Sequence, residues 1–285
     1  MNETPLVIVG IDGSAEAVLA VEEAADEAAL LGAELEVVHV WEWFSHEGRD
    51  WYGRALRDHA ERLVHDAADR ARIRQPRISV RATLLDDTPV VALIEASKHA
   101  RLLVLGSRGL GGFAGLLLGS VSLGVSARSQ CPVLVVSKPS VPSRPVLVGV
   151  SGEDSRPAIE AAFEEARRRH TSLVALHAWA FPDIPSSLLS RHDPESPHHR
   201  AQEFARHVLA NAMSPVRERH PDVAVEEVVV RAGRAAALVQ AAETSALVVL
   251  AAHRRAYPIG ARLGPTTHAV LHHSPVPILV VPVQP

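Results

Sequence analysis

The chain has 285 residues, enough for two domains of ordinary size that each bury a core. With 47 % apolar and 22 % charged residues it has the composition of a soluble globular protein; no apolar run reaches membrane-spanning length and no signal peptide opens the sequence, so the expected location is cytoplasmic. A net charge of −4 argues against broad nucleic-acid binding, and a single cysteine, Cys131, excludes an internal disulfide or a cysteine-based zinc site. Residues 5–11 form an apolar run ending in Asp12-Gly13-Ser14, a strand followed by a helix cap. Residues 14–31 carry alanine at helical spacing and stop at Gly32. A strand is predicted over 34–41, a charged helix over 53–74, an alternating strand over 77–85 and a helix over 88–99. Residues 102–106 form a short apolar strand, and a helix over 120–129 with a strand over 132–137 completes the unit. Cys131, beside Pro132 at the start of that strand, reads as buried filler rather than a reactive thiol. A second series follows, with strands near 145–150, 172–178, 223–230, 246–251 and 276–282 and helices between.

The two series are copies. Cys131-Pro132-Val133-Leu134-Val135-Val136 recurs as Val276-Pro277-Ile278-Leu279-Val280-Val281, an offset of 276 − 131 = 145. The same offset carries Val104-Leu105-Gly106 onto Val249-Leu250-Ala251 and Gly119 onto Gly264. Near the starts it is about 139, taking Val9-Gly10-Ile11 to Val148-Gly149-Val150. Domains are therefore expected at 1–140 and 145–285, joined by the proline-rich run from Lys138 to Pro145. Strand alternating with helix requires crossovers and parallel pairing. The expected fold is α/β, with two doubly wound parallel sheets of five strands. In such sheets a ligand sits at the carboxyl ends of the strands, where strand order reverses. The turn at Asp12 and the loop after the fourth strand would meet there.

That loop reads Gly106-Ser107-Arg108-Gly109-Leu110-Gly111-Gly112-Phe113-Ala114-Gly115-Leu116-Leu117-Leu118-Gly119-Ser120-Val121-Ser122. Glycines admit an anion close to the backbone, and Gly119-Ser120 adds N–H groups, a hydroxyl and a helix start. From Ala96 to Gly152 there is no Asp or Glu, while Lys98, Arg101, Arg108, Arg128, Lys138 and Arg144 are present. It is not a P-loop, since no Lys follows the last glycine. Gly109-Leu110-Gly111-Gly112-Phe113-Ala114 fits a dinucleotide pattern formally, but it follows a late strand and lacks the acidic residue about 20 positions on. A flexible surface loop is the bland alternative.

The spacing Gly106-x2-Gly109-x9-Gly119-Ser120 resembles the nucleotide loop of the universal stress protein family. Val7-Ile8-Val9-Gly10-Ile11-Asp12-Gly13-Ser14, Val37-Val38-His39-Val40 and Cys131-Pro132-Val133-Leu134-Val135-Val136 resemble its opening, second and closing strands. The resemblance implies a Rossmann-like fold of the nucleotide α-hydrolase type with strand order 3-2-1-4-5. It implies ATP as ligand, with Gly10, Ile11 and Asp12 lining it and Asp12 near the ribose or a water on Mg2+. Val40 would meet adenine through its backbone, and Gly106, Arg108 and Gly109 would flank ribose and phosphates. Gly119, Ser120 and Val121 would bind phosphate oxygens, with Ser122 nearby. It also implies pairing through the last strand, as a homodimer or between the two copies of one chain. Taken singly, Asp12 also fits a cap of the first helix, Ser120 an N-cap, and Val40 a core position.

The second copy departs from this pattern. Ala251 stands for Gly106, Arg254 for Gly109, Pro265 for Ser120 and Ser151 for Asp12. Pro265 suits a first helical turn but has no N–H for an anion. A degenerate site is expected there, the alternative being an anion held by His253, Arg254 and Arg255. His198-His199 and His272-His273 read as surface histidines, because adjacent positions on a helix do not face one ligand. Trp41, Trp43 and Trp51 suggest that segment 42–52 packs on the sheet, the alternative being that they stack on a base or a partner, with 181–200 as its irregular counterpart; either fits a lid. Three readings of function follow: an ATP-binding stress-response regulator with at most slow hydrolysis, an interaction scaffold built as a fused dimer, and an adenylating enzyme. The last would need an S-G-G-x-D-S loop, which Ile11-Asp12-Gly13-Ser14 does not supply.

Overall fold

The structure, a computed structural model, describes residues 4–41, 51–110, 118–180, 197–252, 254–257 and 260–283. The glycine loop between 111 and 117, most of the 42–52 segment and most of 181–200 lie outside them. No helix among the described residues is long and apolar enough to cross a membrane. The chain forms two compact units. The first comprises Met1–Ser140, Ala252–Gly264 and Pro277–Pro282; the second comprises Val141–Ala251, Pro265–Val276 and Val283–Pro285.

In the first unit β1 (Leu6–Ile11), α1 (Ala15–Leu31), β2 (Glu34–Trp41), α2 (Trp51–Arg74), β3 (Val80–Asp86), α3 (Pro89–Ala96), β4 (Leu102–Gly106), α4 (Ser120–Ser126) and β5 (Val133–Val136) follow in order. The strands lie β3-β2-β1-β4-β5 and are parallel, the order that the resemblance implies. After β1 the chain builds first to one side, through β2, and later to the other, through β4. Gly10 is paired with Leu105, so the carboxyl ends of β1 and β4 lie side by side at the reversal. The central β4 and the adjacent β5 are buried along their whole length and consist of unbroken apolar runs such as Leu102-Leu103-Val104-Leu105, whereas β3 at the edge has no buried residue.

α1 starts where Ser14 accepts the Ala17 N–H at 3.1 Å and ends at Gly32, which adopts φ +61°. Its buried stripe is mostly alanine, from Ala17 through Ala20, Ala24 and Ala25 to Ala28. Small side chains bring the helix close to the sheet: a Cβ on Gly106 would stand 2.9 Å from the Glu16 backbone carbon. α3 and α4 are shorter than the sequence suggests. Ser97 bonds back to Ile94 at 2.6 Å and turns the chain out of α3, a local competition with helix that serine makes readily. Cys131 is buried, and desolvation raises its thiol pKa, as packing rather than reactivity requires.

In the second half the elements are β6 (Val146–Gly149), α5 (Arg156–Arg168), β7 (Leu173–Trp179), α6 (Pro197–Arg217), β8 (Val225–Arg231), α7 (Arg234–Ala242), β9 (Leu247–Ala252), β10 (Arg254–Tyr257), β11 (Gly260–Leu263), α8 (Pro265–His273) and β12 (Ile278–Pro282). The second unit's parallel strands lie β9-β6-β7-β8. Burial, then the nearby His268 and His273, lowers the pKa of His272 on α8. β12 runs antiparallel to β5 in the first unit, with Leu279 opposite Leu134, and so covers one edge of β5. Where the glycine spacing is lost, β10 and β11 form an antiparallel hairpin, which the sequence did not suggest. Without those glycines the segment has an ordinary backbone that a ladder accepts.

The repeat extends to single hydrogen bonds. His39 Nδ1 donates to the Ile11 carbonyl at 2.8 Å, and His177 Nδ1 donates to Val150 at 2.8 Å. The Ser122 hydroxyl donates to Gly106 O at 2.6 Å, and Thr267 donates to Ala251 O at 3.4 Å. Ser129 and Ser274 each donate to the carbonyl two residues on, at 2.7 and 2.9 Å.

Candidate functional site

At the reversal point of the first unit lies a cavity of ≈ 480 Å³. That is within the range of about 300–1,000 Å³ typical of small-molecule sites. Every residue singled out from the sequence lines it: Gly10, Ile11 and Asp12 from the end of β1, Val40 from β2, and Gly106, Arg108 and Gly109 after β4. Gly119, Ser120, Val121 and Ser122 at the start of α4 complete the set. Its walls differ in kind. Val38, Val40, Pro89, Leu93 and Leu105 make an apolar side, whereas the glycines and serines present backbone and hydroxyls.

Asp12 is the hinge of this geometry. One carboxylate oxygen accepts the Ser14 N–H at 3.0 Å, and the other accepts the Leu110 N–H at 2.8 Å. It thereby ties the β1 turn to the glycine loop. It is not the cap of α1, a role taken by Ser14. Nor is Ser120 the N-cap of α4: Gly119 holds that position with φ −74° and ψ 150°, and Ser120 is the first helical residue. The Ser120 hydroxyl therefore has no capping duty. Ser14 also donates to the Arg108 carbonyl at 3.4 Å, and the Arg108 guanidinium pairs with Glu16 on α1. Arg108 is half exposed at the rim, and that pair is worth at most about 1 kcal/mol.

The glycines of the loop have separable causes. A Cβ on Gly109 would lie 2.2 Å from Asp12 Oδ2, so the Asp12 contact requires glycine there. A Cβ on Gly10 would lie 2.7 Å from a Leu105 methyl, and Gly149 meets Leu250 at the same 2.7 Å in the second copy. Gly10 is thus explained by packing alone. Gly119 is different: its nearest neighbour would be Ser107 O at 3.5 Å, ordinary contact, and its conformation is open to any residue. Among the described residues no contact demands a glycine at 119; the space beside it belongs to the cavity.

His39 lines the cavity and was not singled out from the sequence. A carbonyl only accepts, so Nδ1 bears the proton in the bond to Ile11 and the ring braces the carboxyl end of β1. A signal existed, since both copies carry His-x-Trp at the end of the second strand, His39-Val40-Trp41 and His177-Ala178-Trp179.

Among the described residues no group of three or more His, Cys, Asp or Glu side chains is placed to hold a metal. Among the described residues Asp12 is the sole carboxylate on the cavity wall, and each of its oxygens keeps acceptor capacity beyond the N–H it receives. That donor set suits Mg2+, which keeps several waters and takes one or two carboxylates together with substrate phosphates. In the second unit Ser151 replaces Asp12 and bonds within its own turn, its N–H to Ser155 Oγ at 2.9 Å. α8 opens on Pro265, which has no N–H to offer.

Comparison with known proteins agrees with the repeat. The pattern of the Universal stress protein family matches residues 6–137 and again 142–282. Universal stress protein Rv2005c of Mycobacterium tuberculosis is 36% identical over 297 residues, covering 96% of this chain and 96% of its own. Universal stress protein Rv2623 of the same organism is 35% identical over 296 residues, covering 98% and 97%. Among solved structures, a universal stress protein from Archaeoglobus fulgidus superposes with a TM-score of 0.71 at 21% identity, covering 98% of each chain, which speaks to the fold.

Proposed function

The chain belongs to the universal stress protein family as a tandem of two copies, and from that premise we propose that its first repeat is a receptor for an adenine nucleotide, ATP foremost, in a stress-response regulatory protein. The observation that carries this reading is the cavity itself, apolar toward β2 and α3 and built of glycine and serine backbone toward the loop. An amphipathic ligand with a flat apolar ring at one end and an anion at the other fits that gradient. Val38, Val40 and Leu93 would receive the base, and the Gly119-Ser120 backbone with the Ser120 hydroxyl would receive phosphate oxygens. Arg108 at the rim would exchange Glu16 for phosphate, a stronger partner for a guanidinium. Mg2+ bound with the nucleotide would be held at Asp12 through water and would neutralise phosphate charge. The cavity side chains suit binding better than turnover. Asp12, His39 and Ser122 are each engaged with backbone groups, and no nucleophile is paired with a base by any of the bonds described above. The second repeat, with Ser151 and Pro265 in place of Asp12 and Ser120, is read as a degenerate partner.

Thermal unfolding of the full chain with ATP, ADP and AMP tests this. Ligand at 100 times its Kd adds about 2.7 kcal/mol. In a domain of this size that is a rise of roughly 4 °C in Tm. Gly119→Ala combined with Ser120→Ala should abolish the rise. No shift with any of the three nucleotides at millimolar concentration would leave the scaffold reading in its place.

A further inference from the structure

Outside the nucleotide cavity, the second unit brings together two histidines that neighbour-by-neighbour reading of the sequence does not pair. His268 and His272 lie four residues apart on α8 and therefore share one face of the helix. Their ring centroids are 4.6 Å apart and their planes are inclined by 40°. His268 is exposed and His272 half-buried, so the pair is open to solvent. We propose that His268 and His272 form a chelating pair for one divalent late transition ion, copper(II) in preference to nickel(II) or zinc(II), with water completing the coordination.

The spacing lets both rings reach one ion. A metal-bound imidazole nitrogen lies about 2.1 Å from the ion, which puts the ring centre about 3.2 Å from it. Two rings bound at about 90° then have centres about 4.5 Å apart, and at the tetrahedral angle about 5.2 Å. The observed 4.6 Å, with the exposed His268 ring free to turn about its side-chain torsions, puts both arrangements within reach, and the ordinary order of divalent affinities places copper first. Two further observations agree. His272 and His273 occupy the last turn of α8, where the exposed helix carbonyls favour a cation. From Thr244 to Pro285 the sequence contains no Asp or Glu, so the nearby chain offers imidazole rather than the oxygen ligands that calcium and magnesium require. The pair is also peculiar to the second copy, since the offset of 145 puts Leu123 and Ala127 at the matching positions of α4.

The test titrates the full chain with copper(II) chloride in a non-chelating buffer by calorimetry and records the electron paramagnetic resonance spectrum of the loaded protein. Nickel(II) and zinc(II) chloride are titrated in parallel. His268→Ala, His272→Ala and His273→Ala are compared with the parent chain. The first two should each lose one copper equivalent, or weaken it more than about tenfold, and lose imidazole nitrogen couplings from the spectrum. His273→Ala should retain both. Because His268 is exposed, His268→Ala is the decisive variant should His272→Ala fold poorly. The proposal is overturned if His268→Ala binds the same number of copper ions as the parent with an unchanged spectrum. It is equally overturned if zinc occupies the pair more tightly than copper.

Discussion

Gly109 and Gly119 sit in the same loop for different physical reasons. Gly109 faces Asp12 with no room for a methyl group, whereas Gly119 faces the cavity. Gly109→Ala should therefore push Asp12 off the Leu110 N–H and cost roughly 1–3 kcal/mol in the absence of any ligand. Gly119→Ala should cost no more than about 1 kcal/mol, the N-cap preference of glycine over alanine, and show its main effect when nucleotide is added. Urea unfolding of the two variants without ligand decides this; equal losses would mean that Gly119 serves packing after all. The glycine spacing is visible in the sequence because glycine is the one residue that signals close approach. Which atom makes the approach is not visible, because Asp12 reaches Leu110 across 98 positions of chain.

The first two strands of each copy, β1 with β2 and β6 with β7, are held together at their carboxyl ends by an imidazole. His177 is buried and His39 less so. Removing the donor strands a carbonyl, and that costs more where water cannot replace it. His177→Leu should lower stability by about 1–3 kcal/mol, and His39→Leu by less, about 0.5–1.5 kcal/mol. Denaturant midpoints of the two variants provide the check, and a larger loss at His39 would contradict the burial argument. The elements themselves were legible: β4 falls at residues 102–106 as expected, and the other first-copy strands within a few residues. The apolar runs of β4 and β5 mark strands buried on both faces, and the mixed pattern of β3 marks a more exposed one. The shortened α3 and the β10–β11 hairpin were not legible. The first turns on Ser97 bonding backward, the second on a short local register, Arg254 opposite Leu263 and Tyr257 opposite Gly260, that no alternation of apolar and polar residues announces.

One chain carries two copies of a fold and, on the present reading, one nucleotide site. Calorimetry should find one ATP per chain; a stoichiometry near two would show that Pro265 and Ser151 do not disable the second repeat. The doubling was plain from internal offsets alone, and the family matches over residues 6–137 and 142–282 repeat it. Pairing of the two closing strands was one of the two arrangements that the resemblance implied, but the antiparallel direction of β12 beside β5 was not legible, since an apolar strand of the same pattern serves either direction. By itself the sequence determined the alternation of strand and helix, the duplication and the residue types at the two turns, because these follow from local periodicity and composition. Only the tertiary structure decided that Asp12 clasps the glycine loop and that Gly119 borders open space. Each of those is a distance between atoms, and distances are fixed by packing of the whole sheet and its helices rather than by neighbours along the chain.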